Sequence, residues 1–368
     1  MPRSHSNHGL TRRAFTLVEL LVVISIIAVL AGILLVALSS ATETATRSRT
    51  TATMSSFSAA CDAFAMEHGR YPGVVPMRVL GDGTKLTTTQ NAMLHLMGGC
   101  RVRTSDDDND SPTAQAYEAY LANANQPVEI ELPDPNNNAR IWQIAVDLSR
   151  ISEGPVINGK PYPPYFSPKA NELVSRWNMA SNPNATDAKE QGYNQLPDVY
   201  DSWGNPIIYL QQQRKSGPLV EQTIVGPGGA AESGQFTISG LKLYFEAQAL
   251  GENRINQRQA ELANSAIIGS RMTGPDHAVA DESEPGLEQR RWLIAIVAHP
   301  AFYDADNDPL YGTARSKYVL WSPGPDGVFL SHQDGPLSNT GGFDFNGHET
   351  AEPEDIEEFD DIVVYGGG

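Results

Sequence analysis

The sequence predicts an α+β protein in which one long N-terminal helix carries a head built on an antiparallel β-sheet, with large loop and helix insertions. Three observations lead to this fold class. An uninterrupted apolar stretch occupies Phe15–Leu38, proline is absent between Pro2 and Pro72, and strand-like runs bounded by turn residues follow Tyr200. Proline is the strongest helix breaker, so its absence allows one helix to continue well beyond the apolar stretch.

The apolar stretch is long enough to span a membrane. At about 1.5 Å of rise per residue, a helix over Phe15–Leu38 crosses the roughly 30 Å hydrocarbon core of a bilayer. Its single charge is Glu19, near the N-terminal end, where a buried carboxylate needs a partner. Residues 1–14 are basic, with Arg12 and Arg13 and no acidic residue. The positive-inside bias therefore predicts a cytoplasmic N-terminus, with the rest of the chain outside the membrane.

The string from Arg12 to Leu20 resembles the start of class III signal peptides, which belong to type IV prepilins and type II secretion pseudopilins. The resemblance implies that a prepilin peptidase removes residues 1–14, cutting between Ala14 and Phe15, and N-methylates Phe15. It also implies that Glu19 pairs with the terminal amine of a neighbouring subunit during filament assembly. An ammonium and a carboxylate in a low-dielectric medium relieve each other's desolvation, which gives this pairing a physical basis.

Three other interpretations of this stretch remain open. A secretory signal peptide has a shorter apolar core with a small-residue cleavage site after it. A twin-arginine export signal is suggested by Arg12 and Arg13, but such signals have a milder apolar core without an embedded glutamate. In an ordinary membrane anchor, Glu19 would extend to the nearby interface.

The helix is predicted to continue as an extramembrane amphipathic half over residues 39–70, followed by a head over residues 71–368. Apolar side chains recur there at helical spacing and predict one buried face: Met54, Phe57, Cys61 and Phe64. Gly69 is the predicted C-cap and Pro72 the stop. The Gly69-Arg70-Tyr71-Pro72 string is similar to the one that ends this helix in major pseudopilins.

The remaining elements are predicted from short patterns. Relative to compact pseudopilins, residues 73–195 and 250–290 are insertions, and the first of these has helix-like patterns at Ala92–Met97, Ala114–Ala122, Ile141–Ser149 and Leu173–Asn178. Strands are predicted at Ile207–Leu210, Gln235–Gln248 and Arg291–His299. The acidic run Asp106–Asp110 is either a solvated loop or a calcium ligand set.

A strand from Lys317 leads into a tight turn that contains Gly324 and Asp326. This segment resembles the calcium-binding strand and loop of the major pseudopilin. The resemblance implies one Ca²⁺ ion held by a set of oxygen ligands: Ser322, Asp326, Asp360 and Asp361. Converging carboxylates and carbonyls suit this hard cation, and a solvated acidic tail is the alternative.

Composition restricts the function further. The net charge of −18 disfavours nucleic acid and anionic lipid as ligands. No histidine pair with metal spacing, nucleophile elbow or cysteine metal motif is present, so the sequence predicts a non-catalytic protein. Cys61 and Cys100 lie on the outer side of the membrane, where they either form a disulfide or remain buried free thiols.

The resemblance implies a pseudopilin that assembles into a type II secretion pseudopilus or a related filament. Its partners would be other copies of itself, other pseudopilins, the prepilin peptidase, the assembly platform of the inner membrane, and membrane lipid. Within the same class, the alternative is a minor or tip subunit with an adhesive role. Outside it, the alternative is a membrane-anchored extracellular binding domain that never polymerises.

Overall fold

A computed structural model describes the chain over residues 17–80, 86–125, 127–134, 137–169, 173–175, 196–220, 234–237, 293–303, 311–325, 327, 329–330 and 352–367. The chain divides into two units, with the boundary after Ser48. Helix α1, Leu17–His68, contributes to both units, and all other elements belong to the second.

Helix α1 is continuous, as the sequence predicts, and it ends at the predicted place. Gly69 adopts a φ of 69°, and its N–H donates to the carbonyl oxygen of Ala65 at 2.8 Å. Such a left-handed glycine closes a helix because it satisfies a terminal carbonyl without a Cβ penalty. Between the apolar part and the head, hydroxyl groups donate to the carbonyl four residues earlier, at Thr42, Thr44, Thr46 and Ser48.

The predicted buried face of α1 is confirmed. Met54, Phe57, Cys61 and Phe64 are all at most 2% exposed and belong to the main core of the second unit. This core also receives side chains from helix α2, Thr88–Met97. Thr87 caps α2 reciprocally with Gln90, so the start of this helix is fixed by its own sequence.

The first sheet has the order β1-β3-β2, with β1 at Cys100–Thr104, β2 at Pro127–Asp134 and β3 at Asn137–Asp147. Both pairings are antiparallel. Along β2 exposed and buried residues alternate strictly, because one face of the sheet packs on the core. Helix α3, Pro112–Asn123, begins at the cap Ser111 and packs on β1 and β3 through Tyr117 and Tyr120.

The second sheet has the order β10-β9-β8, with β8 at Ile208–Gln211, β9 at Tyr318–Ser322 and β10 at Ile362–Gly366. All of its pairings are antiparallel. Alternate residues of this sheet face two different cores. Tyr209, Tyr318 and Leu320 join the core that contains α1, and Leu210, Val319 and Trp321 join a second core. The predicted combination of a long helix with an antiparallel sheet is therefore confirmed.

Shorter elements complete the described chain. Two two-stranded sheets pair β4 (Val156–Ile157) with β5 (Lys160–Pro161) and β6 (Leu173–Ser175) with β7 (Pro197–Val199). Single turns of 3₁₀ helix occupy Met77–Leu80, Leu148–Arg150, Pro300–Phe302 and Asp355–Glu358.

Two of the four predicted insertion helices are confirmed, as α2 and α3, and two predictions are wrong. Ile141–Ser149 lies in β3 and the 3₁₀ turn after it, because Ile144 and Val146 alternate into the core at strand spacing. Leu173–Ser175 forms strand β6 instead of a helix start.

The predicted strand Arg291–His299 is also wrong, since residues 293–297 are helical and buried. A short run that is apolar at every position fits a buried helix as well as a buried strand. Most of the predicted strand Gln235–Gln248 lies outside the described residues.

The two cysteines are free, so the disulfide is absent and the alternative of free thiols agrees with the structure. Cys61 is fully buried in the main core, and the Cys100 thiol donates to the carbonyl oxygen of Leu94 at 3.6 Å. Burial raises the pKa of both thiols, that of Cys100 to about 12. Both therefore remain protonated and unreactive near neutral pH.

Candidate functional site

The first candidate site is the N-terminal segment. One helix among the described residues, over Leu17–Leu34, is long and apolar enough to cross a membrane. Glu19 lies in its first turn, where the positive end of the helix dipole favours a carboxylate. The predicted processing residues lie outside the described part of the chain: Arg12, Arg13, Ala14 and Phe15.

The second candidate site is the predicted calcium loop, in which the side chains of Asp361 and Ser322 form hydrogen bonds within the head. The Asp361 carboxylate is 5% exposed, and it accepts hydrogen bonds from the Trp321 indole N–H at 2.6 Å and from the Leu330 N–H at 3.1 Å. The Ser322 hydroxyl donates to Asp201 Oδ2 at 2.9 Å. Both side chains therefore stabilise the ends of strands through hydrogen bonds.

Asp360 lies against the turn after β9. A Cβ built on Gly324 would lie 2.6 Å from the Asp360 carbonyl oxygen and 3.0 Å from its Oδ1 atom. Two oxygen atoms of Asp360 thus lie against this turn, and Ca²⁺ is bound by oxygen ligands. Asp326 lies outside the described residues, and the described residues contain no group of three His, Cys, Asp or Glu side chains placed to hold a metal.

A buried polar network joins this turn to the Asp201-Ser202-Trp203-Gly204-Asn205 loop. The Asp201 carboxylate, 5% exposed, accepts from the backbone N–H groups of Trp203 at 2.9 Å and Asn205 at 2.7 Å. It also accepts from Asn205 Nδ2 at 3.3 Å, in addition to the Ser322 hydroxyl. Four donors therefore converge on one buried carboxylate.

The same loop is connected to two other parts of the head. Asn205 Nδ2 donates to the Gly324 carbonyl oxygen at 3.1 Å, and the Ser202 N–H donates to Thr50 Oγ1 in helix α1 at 3.0 Å. The Gly204-Asn205-Pro206 string predicts a turn here, but it does not predict that Asp201 lies at the centre of that turn. The signal that could have found it is an Asp placed at the start of a turn, where its carboxylate reaches the next N–H groups.

A polar contact also joins strand β9 to α1. The Tyr318 hydroxyl donates to the Ser58 carbonyl oxygen at 2.9 Å and lies 3.0 Å from Asp62 Oδ1. Its ring packs against Tyr71 and Tyr209. A buried tyrosine, whose hydroxyl group is hydrogen-bonded, therefore fixes the position of α1 on the sheet.

At the end of α1, His95 fixes the chain reversal. Its Nδ1 atom donates to the Gly73 carbonyl oxygen at 2.8 Å, and its Nε2 atom lies 3.4 Å from Arg70 Nη2. Burial, and then the Arg70 charge, lower the pKa of His95 to about 3. The imidazole is therefore neutral at physiological pH, and it packs on the ring of Phe64.

A groove of 520 Å³ opens beside this reversal. Its lining combines charged, amide and aromatic side chains, among them Arg70, Tyr71, Asp107, Trp142, Gln211 and Gln213. The volume lies in the range of about 300–1,000 Å³ that is typical of ligand sites.

Comparison with known proteins identifies the N-terminal segment. The family model described as the prokaryotic N-terminal methylation motif matches residues 10–35. Together with the apolar helix, this motif indicates a type IV pilin-like protein with a membrane anchor, a class that is typically structural and non-catalytic. No curated protein and no solved structure matches the chain.

Proposed function

We propose that this chain is a non-catalytic pseudopilin that assembles into a type II secretion pseudopilus or a related type IV pilus-like filament. The observation that carries the proposal is the methylation motif at residues 10–35 at the start of a continuous helix. The last part of that helix, from Arg49 onward, packs into an α+β head. A filament subunit needs both parts, an apolar segment for the core and a folded head.

In this proposal the unprocessed chain crosses the inner membrane once, with its N-terminus in the cytoplasm and its head outside. The prepilin peptidase cuts before Phe15, and the assembly platform moves the processed subunit from lipid into the filament. There it contacts copies of itself and other pseudopilins. The apolar side chains of Leu17–Leu34 are exposed in the single chain, which suits burial first in lipid and then among neighbouring helices.

Co-expression with a prepilin peptidase tests the processing step. We expect the intact mass and N-terminal sequence of the extracted protein to show a chain that begins at N-methylated Phe15. A chain that retains residues before Ala14, or one cut after Leu38, would contradict the proposal and favour an anchored or secreted domain.

The variant Glu19→Val separates assembly from anchoring in the same experiment. We expect normal membrane insertion but loss of filaments in sheared fractions, because the carboxylate can no longer neutralise a neighbouring terminal amine. Glu43→Val, on an exposed later turn of α1, is the matched control and should still assemble. Equal filament yield from both variants would show that Glu19 has no assembly role.

We further propose that one Ca²⁺ ion stabilises the head at the turn after β9. The support is the approach of the Asp360 carbonyl and carboxylate oxygens to Gly324, which precedes the predicted ligand Asp326 by two residues in the sequence. Asp361 and Ser322 already form hydrogen bonds within the head. They would therefore contribute to the site mainly by holding the ends of the strands beside the ion. A bound cation would also offset repulsion among these neighbouring carboxylates.

Thermal unfolding of the full chain in detergent micelles tests the calcium proposal. At a Ca²⁺ concentration near 100 times Kd, binding contributes about 2.7 kcal/mol, so we expect Tm to exceed its value in chelator by several degrees, about 5 °C. Asp326→Asn should remove this difference, whereas Asp110→Asn, in an exposed acidic loop, should keep it. An unchanged Tm for the parent chain in Ca²⁺ would contradict the site.

A further inference from the structure

An edge strand from each of the two three-stranded sheets lines the 520 Å³ groove. Val102, Arg103 and Thr104 of β1 line one side, and Gln211 at the end of β8 lines another. Both strands are terminal in their sheets within the described residues. The segment Gly73–Met77 also lines the groove.

The register of β1 shows which of its backbone groups face the groove. Hydrogen bonds join the Gly99 carbonyl oxygen to the Asp147 N–H and the Ser105 N–H to the Ile141 carbonyl oxygen. In an antiparallel pair this pattern repeats at every second residue. The N–H and C=O groups of Val102 therefore point away from β3, toward the free edge.

Among the residues that the structure describes, contacts cover the two ends of the β1 edge and not its centre. At its end, the Thr104 N–H donates to Asp107 Oδ2 at 2.6 Å. At its start, the Cys100 carbonyl oxygen accepts from Arg101 Nη1 at 2.7 Å. These contacts cover both ends of the edge and leave the donor and acceptor of Val102 between them. An exposed edge of this kind can pair with one more extended strand.

Arg70 places a positive charge at the same groove. Its side chain is exposed, and its Nη2 atom lies 3.4 Å from Nε2 of the neutral His95. Among the described residues no carboxylate forms an ion pair with it, whereas four other arginines do have acidic partners: Arg78, Arg103, Arg140 and Arg150. A guanidinium is built to bind a carboxylate through two parallel hydrogen bonds.

We propose that this groove binds an extended acidic peptide segment of a partner protein. The segment adds to the edge of β1 at Val102, and one of its carboxylates pairs with Arg70. Tyr71 and Trp142 offer apolar walls, and the amides of Gln211 and Gln213 offer polar contacts. On a chain of net charge −18, such a partner is repelled from most of the surface, which makes the position of Arg70 selective.

The charge is tested with two fluorescent, end-blocked hexapeptides of alternating Val and Thr, one containing a central Glu and the other a central Gln. Binding to the full chain in detergent micelles is measured by fluorescence anisotropy. We expect the Glu peptide to bind about tenfold more tightly. Arg70→Gln should abolish that ratio, and Arg140→Gln, which replaces a half-exposed arginine outside the groove lining, should preserve it.

The strand pairing is tested with a Glu peptide N-methylated at alternate residues, which cannot donate along one edge. We expect it to bind at least tenfold more weakly than the parent peptide. Absence of saturable binding by the parent peptide, or an unchanged Glu-to-Gln ratio in Arg70→Gln, would overturn the proposal. So would equal binding of the N-methylated peptide together with competition by galacturonate, which would indicate a site for small organic acids. A thermal melt of Arg70→Gln must match the parent, so that a lost ratio is not loss of fold.

Discussion

Replacing Asp201 by Ala is expected to destabilise the head by about 3 kcal/mol, because it removes the acceptor of four converging hydrogen bonds. Asn205 and Ser322 are 4% and 0% exposed, so their donors cannot turn to water. Loss of the network also releases the loop from Gly324 and from helix α1. Urea unfolding of the full chain in micelles, followed by near-UV circular dichroism, measures the loss.

Two further variants divide this effect. Ser322→Ala removes one neutral donor and should cost about 1 kcal/mol. Asp201→Asn keeps an acceptor for the N–H groups of Trp203 and Asn205, so its cost should lie between those of the other two variants. If Asp201→Ala cost no more than Ser322→Ala, the carboxylate would not be the centre of the network.

The pH dependence of the Asp201→Asn variant gives an independent check. Burial raises the pKa of Asp201, and its hydrogen bonds offset only part of that shift. A carboxyl whose folded pKa is raised contributes stability that is fully present below its unfolded pKa of about 3.9 and is lost as pH rises through the folded pKa. The stability advantage of the parent over Asp201→Asn should therefore be larger at pH 4 than at pH 7. An advantage that grows toward pH 7 would contradict the assigned direction.

The sequence predicts those parts of the fold whose local pattern and tertiary role agree. The end of α1 follows from Gly69 and Pro72, and the face from Met54 to Phe64 follows from helical spacing, because burial on one side enforces that spacing. Strand β8 begins near its predicted position after turn residues, and strand β9 begins near its predicted position and ends before a turn. In these segments the spacing of apolar residues fits one type of secondary structure.

The wrong predictions concern segments in which the spacing of apolar residues fits both a helix and a strand. Ile141 and Ala145 are spaced as on a helix, but Ile144 and Val146 alternate into the core, and pairing with two neighbouring strands decides in favour of β3. Residues 293–297 are apolar throughout, so their pattern does not distinguish a buried helix from a buried strand. The groove at Arg70 and the network at Asp201 join residues far apart in the chain, and spacing along a sequence carries no such information.

Gly324→Ala is expected to destabilise the head by about 3 kcal/mol for two separable reasons. Gly324 has a φ of 70°, a conformation that costs an L-residue about 1–2 kcal/mol. Its added Cβ would also lie 2.6 Å from the Asp360 carbonyl oxygen, a contact that forces the turn and the start of β10 apart. Chemical denaturation of the full chain in micelles measures the sum of both terms.

Gly204→Ala isolates the conformational term. Gly204 has a φ of 87° in the loop that faces the same turn, but a Cβ there would meet nothing within 4 Å. Its substitution should therefore cost about 1–2 kcal/mol, and the excess cost of Gly324→Ala reports the displacement of Asp360. If Asp360 supplies oxygens to Ca²⁺, the same displacement should also remove the calcium-dependent rise in Tm from Gly324→Ala while Gly204→Ala retains it. Equal costs and equal calcium responses in the two variants would show that the turn does not depend on the close approach of Asp360.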